Sequence, residues 1–266
     1  MRILDQTGRE LQLDQTPRRV VSLVPSITEL AHDLGFEVIG KTKFCIHPER
    51  LESAKVVGGT KNVKTQLVRE LAPDLILANK EENTQECVEE LIEAGFPVYV
   101  SDVSTVDQSL DLIEKMGQIG GFEQEAVRLK KEIAEGFDSI EKVKPIPRVL
   151  YLIWKKPFMA AGTDTYISDI LTYLGIENAL TSWFDEGLRY PEINNDEIKS
   201  LNLDFILLSS EPFPFREDHR EKIEMEFGIP TLPADGEAFS WYGSRQAKSM
   251  DYLEEFSRLL GNRMKN

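Results

Sequence analysis

Apolar and polar positions alternate over residues 2–13 around Thr7-Gly8, which predicts a small hairpin. Val20 to Val24 is a short β-branched apolar run, the pattern of a strand buried on both faces. Pro25-Ser26 ends it. Ile27, Leu30, Ala31 and Leu34 then recur at helical spacing, and Ser26 with Glu29 three positions later predicts a capped helix start. Further on, residues 38–42 read as a strand, 66–71 as a helix, 75–78 as a strand, 82–94 as a helix closed by Gly95, and 98–100 as a strand. Glu81 and Glu82 fall at the start of that helix, where acids complement the dipole. Strands alternating with helices predict a mostly parallel sheet.

The same order of motifs then occurs a second time. Arg19-Val20-Val21-Ser22-Leu23, Leu34-Gly35, Pro73-Asp74-Leu75-Ile76-Leu77 and Gly95-Phe96-Pro97-Val98 are answered by Arg148-Val149-Leu150-Tyr151-Leu152, Leu174-Gly175, Leu203-Asp204-Phe205-Ile206-Leu207 and Gly228-Ile229-Pro230-Thr231. The repeat is too long for a solenoid unit and predicts two similar α/β lobes. A cleft between two such lobes is a usual place for a small ligand.

Between the halves the period is helical. Val106, Leu110, Ile113 and Met116 mark one segment; after Gly120-Gly121, Ala126, Leu129, Ile133, Phe137 and Ile140 mark a second, over residues 122–143. At 1.5 Å per residue that second segment would be about 33 Å long, enough to cross from lobe to lobe as one rod. An ordinary surface helix of one lobe is the competing reading. The expected organisation is an N-terminal α/β lobe over residues 1–105, a bridging helical segment over 106–145 and a C-terminal α/β lobe over 146–266.

A net charge of −15 argues against a nucleic-acid partner, which would need clustered Lys and Arg. The acids Glu81, Glu82, Glu86, Glu89, Glu90 and Glu93 read mainly as a solvated helix face. The two cysteines, Cys45 and Cys87, belong to no C-x-x-C pair, and a chain of 266 residues needs no disulfide staple. Cys45-Ile46-His47 is too few ligands for a metal site, so none is expected. The first residues turn polar within five positions, unlike a secretion signal, and no apolar run is long enough to span a membrane. Either a mature form of an exported protein or a cytoplasmic protein fits.

Residues 19–30 (RVVSLVPSITEL), the Val57-Gly58-Gly59 turn and residues 71–78 (LAPDLILA), set in two lobes bridged by a helix, resemble the helical-backbone (class III) solute-binding proteins. These receptors serve ATP-binding-cassette importers of cobalamin, haem and iron-siderophore complexes, and the likeness is greatest to the cobalamin-binding branch. The resemblance covers residues 19–260. It implies an α/β fold of two Rossmann-like parallel-sheet lobes bridged by a single long α-helix, and a monomer located in the periplasm or otherwise outside the cytoplasm. It also implies non-catalytic binding of a bulky ligand in the interlobe cleft, most specifically a corrinoid, for delivery to an importer permease. Iron-siderophore or haem binding on the same fold is the alternative. No intrinsic cofactor is expected, the ligand being cobalamin or a ferric siderophore.

In parallel α/β sheets ligands meet the loops after the carboxyl ends of strands. Those loops carry the candidate contacts Pro25, Ser26, Phe44, Cys45, Thr60, Lys80 and Glu81 in the first half and Trp154, Arg189, Tyr190, Phe213, Phe239, Trp241, Tyr242 and Arg245 in the second. Phe239, Trp241 and Tyr242 fall within four positions; aromatics in a loop suit a flat apolar ligand, or else pack the loop onto its own lobe. Lys80, Arg189 and Arg245 are expected to form a positive rim for acidic or polarised groups of the ligand, unless each is paired with a nearby acid.

Related receptors dock to the permease through one acid on each lobe; the matching positions here are Gln66, which is uncharged, and Asp196. The first-lobe contact is thereby in doubt, which leaves room for a cytoplasmic corrinoid-handling protein. An enzyme on this fold is the remaining rival. However, G-x-G-x-x-G after a strand, a P-loop, H-E-x-x-H and G-x-S-x-G are all missing, and no catalytic residue is assigned.

Overall fold

The computed structural model describes residues 1–182 and 189–265, apart from the side chains of residues 50, 52 and 182. The chain divides into two compact units: Met1–Val103 with Asp107–Ile133 and Tyr242–Ala247, and Ser104–Val106 with Ala134–Trp241 and Lys248–Asn266.

The first unit opens with the hairpin expected from the alternation, β1 (Arg2–Leu4) antiparallel to β2 (Glu10–Gln12). The Asp5 carboxylate closes its turn, accepting from the N–H groups of Thr7 and Arg9 at 3.0 and 2.9 Å. There follow β3 (Arg19–Ser22), α1 (Pro25–Leu34), β4 (Glu37–Lys41), β5 (Lys55–Val56), α2 (Thr65–Leu71), β6 (Leu75–Asn79), α3 (Gln85–Glu93) and β7 (Val98–Ser101). The sheet order β5-β4-β3-β6-β7 is parallel throughout. Both faces are covered, and so β3 and β6 are apolar without alternation: Val20, Val21, Leu75, Ile76 and Leu77 are fully buried.

Two helix starts differ from expectation. The N-cap of α1 is Val24, with Pro25 in the first turn, where its missing N–H removes a donor that would otherwise be orphaned. Ser26 lies inside the helix. The start of α3 is Thr84, whose hydroxyl accepts from the Cys87 N–H at 3.3 Å, and Glu81 and Glu82 belong to the preceding turn. Asn79 holds that turn, its side-chain oxygen accepting from the N–H groups of Glu81 and Glu82 at 2.8 and 3.1 Å.

The helical stretch forms as α4 (Val106–Gly120) and α5 (Glu123–Ser139). With 17 residues, α5 is shorter than its apolar period suggested, about 25 Å. Its residues through Ile133 belong to the first unit and those from Ala134 to the second, so α5 carries the chain from one to the other.

The second unit contains β8 (Arg148–Trp154), β9 (Phe158–Ala160), α6 (Tyr166–Tyr173), β10 (Glu177–Asn178), β11 (Glu192–Ile193), α7 (Asn195–Ser200), β12 (Phe205–Ser209), α8 (Glu217–Phe227), β13 (Thr231–Ala234), α9 (Gly236–Ser240) and α10 (Arg245–Arg263), of which Arg245–Ala247 lie with the first unit. Strands β10, β8, β12 and β13 run parallel; β9 returns antiparallel along β8, and β11 lies antiparallel to β9. That returning strand is the one departure from an all-parallel sheet, and no counterpart of it is found in the first unit's described residues.

The duplicated sequence makes duplicated contacts. Gly35 and Gly175 end α1 and α6 with φ of 114° and 74°, left-handed values that cost glycine little. The next residue in each case, Phe36 or Ile176, donates back to Ala31 or Leu171 at 3.0 and 2.9 Å.

Candidate functional site

The carboxyl edge of the first sheet gathers polar side chains. Ser26 and Thr60 are buried there, and the amide of Asn83 donates to the Thr60 and Leu23 carbonyls at 2.9 and 3.3 Å, joining the loops after β3, β5 and β6. The amide of Asn79 donates to the Ser101 hydroxyl and carbonyl at 3.0 and 3.2 Å, adding β7. Tyr242, in the segment that joins this unit, is buried close to the hydroxyls of Ser101 and Ser26, and burial raises its pKa. Pro25 is partly exposed, as is Glu81.

In the loop after β4, sequence neighbours part company. Cys45 is enclosed, with the Thr28 hydroxyl donating to its sulfur at 3.0 Å and the Thr42 hydroxyl sharing a hydrogen bond with it at 3.1 Å, and desolvation pushes the thiol pKa up. It therefore packs the loop and presents no surface to a ligand. Phe44 is 51% exposed, with the Lys43 ammonium 4.8 Å from its ring centre. An aromatic this open, on this edge, is the first unit's clearest apolar contact point.

On the second sheet's carboxyl edge, Trp154 ends β8 and is 39% exposed. Its ring meets Phe213 edge-on at 5.6 Å; Phe213 in turn meets Phe215 at 4.8 Å and His219 at 5.3 Å. The four rings form an aromatic shelf built from the ends of β8 and β12 and the start of α8. The aromatics grouped by sequence near residue 240 behave differently. Phe239 is fully buried against Tyr151 and Phe256, 5.3 and 5.2 Å away, and has no face for a ligand. Trp241 is only 8% exposed and donates its indole N–H to Glu211 at 2.7 Å. Packing onto the protein, the competing reading of this group, is what the geometry supports for Phe239. Tyr190 is half-buried beside β11.

Of the three cations expected to form a positive rim, two meet an acid and the third meets a carbonyl and a hydroxyl. Lys80 bonds to Asp102 at 2.6 Å. Arg245 bonds to Glu29 at 2.8 Å, an acid 216 positions away that no local reading of the sequence could supply. Arg189 donates to the Asp164 carbonyl at 2.7 Å and the Ser104 hydroxyl at 2.6 Å. Each cation is thus held within its own unit. Acids also border the second edge, Glu211, Glu237 and Asp235, and Glu211 has its pKa raised, chiefly by desolvation.

Gln66 and Asp196 are both exposed in the first turns of α2 and α7. A groove of about 680 Å³ adjoins α7, floored by Phe158 and Ile193 and rimmed by Lys155, Lys156, Glu192 and Glu197. Among the described residues, no three His, Cys, Asp or Glu side chains are grouped to hold a metal ion, and no helix is long and apolar enough to cross a membrane.

Sequence reasoning gave Glu29 only a capping role and placed Glu211, Asn79 and Asn83 on ligand-side loops without assigning them a part. Acids are common in this chain, and only packing separates a structural one from a solvated one.

Comparison with known proteins places this geometry in context. The model of the family described as periplasmic binding protein matches residues 20–226. An ABC transporter substrate-binding lipoprotein of Bacillus subtilis, itself uncharacterized, is 28% identical over 218 residues, 76% of this chain and 67% of the relative. A vitamin B12-binding protein of Yersinia pestis is 24% identical over 200 residues, 73% of this chain and 70% of the relative. Among solved structures, the periplasmic vitamin B12 binding protein of Vibrio cholerae superposes with a TM-score of 0.74 at 17% identity, covering 94% of this chain and 99% of that one. The periplasmic heme-binding protein BhuT, solved with two hemes, gives 0.79 at 18% identity, covering 92% and 98%. At these identities the structural likeness establishes the fold alone.

Proposed function

Because the chain belongs to the periplasmic binding protein family, we propose that it is a receptor that binds one bulky metallo-organic ligand at its carboxyl edges, without chemical change, and delivers it to an ABC importer. The observation that carries this reading is an exposed aromatic at a ligand-side loop, Trp154 on its ring shelf; Phe44 is another in the first unit. Exposed rings cost solubility, and rings at ligand-side loops are repaid by stacking on a flat apolar surface.

A corrinoid is the ligand we favour. Support comes from the motifs of residues 19–30 and 71–78 and from the B12-binding relative. It also comes from the burial of Arg245 against Glu29, since a ligand edged by neutral amides needs no cation to meet it. Haem or a ferric siderophore is the second reading, favoured by the likeness to heme-binding structures. The function assigns the protein no catalytic residue, no resident cofactor, a monomeric state, a location outside the cytoplasm and a permease contact that includes Asp196.

The test is titration of the full chain with cyanocobalamin, dicyanocobinamide, haemin and a ferric siderophore, followed by calorimetry and absorbance. One corrinoid per chain, bound at least tenfold tighter than haemin and recovered unchanged by mass spectrometry, is the expected result. Tighter haemin or siderophore binding would transfer the assignment to the second reading, and a protein-dependent product would reject a receptor altogether.

A further inference from the structure

We propose that Glu211 is the positioning residue of the aromatic shelf, and that Trp241 serves it as a strut rather than as a stacking face; its link to a ligand rests on the receptor reading above. One oxygen of Glu211 accepts from the Trp241 indole N–H at 2.7 Å, and the Ser240 hydroxyl, which also donates to the Gly236 carbonyl at 2.7 Å, lies 3.2 Å from it. The loop after β12 is thereby fastened to the loop after β13. Two further bonds lie alongside: the Ser209 hydroxyl donates to the Glu211 carbonyl at 2.6 Å, and the Gly236 N–H donates to the Ser210 hydroxyl at 2.8 Å. Gly236 is required for this approach. A Cβ there would lie 2.3 Å from Glu211 Cγ, so any larger residue would drive Glu211 out of place.

Two positions beyond Glu211 stands Phe213, whose N–H donates to the Ile153 carbonyl at 3.4 Å and whose ring meets Trp154. A continuous path runs from Trp241 through Glu211 to Phe213 and Trp154. Among the described residues the charged groups that bear on Glu211 are the acids Glu237 and Asp235, so the indole N–H is the main contact that holds its carboxyl group. A half-buried acid kept among acids is a poor choice for stability alone. It is explained if its orientation sets the ring beside it.

Three variants of the full chain test this: Glu211→Ala, which removes the acceptor; Glu211→Gln, which keeps a carbonyl oxygen; and Trp241→Phe, which keeps a ring and removes the N–H. Hydrogen exchange of the Glu211, Phe213 and Phe215 amides is read by mass spectrometry on ligand-free protein. Glu211→Ala and Trp241→Phe are each expected to speed it at least tenfold, the double variant no further, and Glu211→Gln to stay within about twofold of the parent. Unchanged exchange in the first two, or fully additive effects, would overturn the clamp. Titration with cyanocobalamin follows, with about a tenfold loss of affinity expected in Glu211→Ala and Trp241→Phe and recovery in Glu211→Gln. Faster exchange with unaltered affinity would overturn the shelf's ligand role. If the parent protein itself binds no cyanocobalamin, the receptor reading for corrinoids fails, while the exchange pattern still judges the clamp.

Discussion

The side chain of Asp204 accepts the backbone N–H of Arg148 at 2.7 Å, while its own N–H donates to the Arg148 carbonyl at 2.9 Å. Asp74 does the same for Arg19, at 2.9 and 2.8 Å, and takes the Arg18 N–H at 3.0 Å as well. In each half the arginine closes the bracket by donating to the preceding helix end, Leu71 in one and Leu201 in the other. The bracket fastens the start of the central strand to the start of its neighbour, which accounts for the Arg and Asp recurring at matched spacing.

Asp204→Ala is expected to lower stability by about 1 kcal/mol, the usual net worth of a hydrogen bond at a partly exposed site. Asp204→Asn should lose less, because an amide oxygen still accepts. Urea unfolding of both variants checks this; equal losses would mean that charge, and not acceptance, holds the strand.

Trp154→Ala should weaken binding of the cognate ligand by about 1–3 kcal/mol and leave the thermal midpoint almost unmoved, since this exposed ring contributes little to the core. Calorimetric titration beside a melting curve separates the two effects. A fall in stability matched by no change in affinity would remove the shelf from the site.

Phe239→Ala is expected to show the opposite pattern. Its ring is fully enclosed, so the cavity should cost about 3–5 kcal/mol of stability. Where the variant remains folded, its ligand affinity should match the parent's, and a selective loss of affinity would return Phe239 to the site.

Glu29 and Arg245 form a buried pair, their side chains 3% and 15% exposed. Arg245→Gln leaves the Glu29 carboxylate desolvated and without this partner, and is expected to cost about 3–5 kcal/mol. The double variant Glu29→Gln with Arg245→Gln should recover most of it. Salt-dependent weakening of ligand binding in the single variant, at full stability, would instead restore Arg245 to a ligand rim.

Glu211 supplies a pH test. Burial raises its folded-state pKa above the ordinary value of 4.5, so the folded chain holds this proton more tightly than the unfolded chain. Its contribution to stability is therefore present below pH 4.5 and lost as pH rises through the raised pKa. Glu211→Gln carries no such proton, so the parent should lose stability relative to it as pH rises from 4.5 towards neutrality. A gap that does not vary with pH would place the carboxyl in a water-like setting.

The sequence by itself determined the α/β class, the duplication and most strand positions, because buried parallel strands need uninterrupted apolar runs and the Arg and Asp of each bracket fall at fixed spacing. It also marked the ligand-side loops, since those follow strand ends. Tertiary structure decided which loop residues are available. Phe44 and Cys45 are neighbours in sequence, yet one ring is exposed while the other side chain is held between Thr28 and Thr42. Trp154 and Phe239 look equally suited to stacking; a β-strand end leaves the first open, and the core around Tyr151 encloses the second. The partner of Arg245 lies on α1, brought there by the segment Tyr242–Ala247 joining the first unit. Strand and helix patterns come from interactions over a few residues, which periodicity records; exposure and ion pairing come from contacts between separate segments, 216 positions apart for Glu29 and Arg245, and periodicity does not record those.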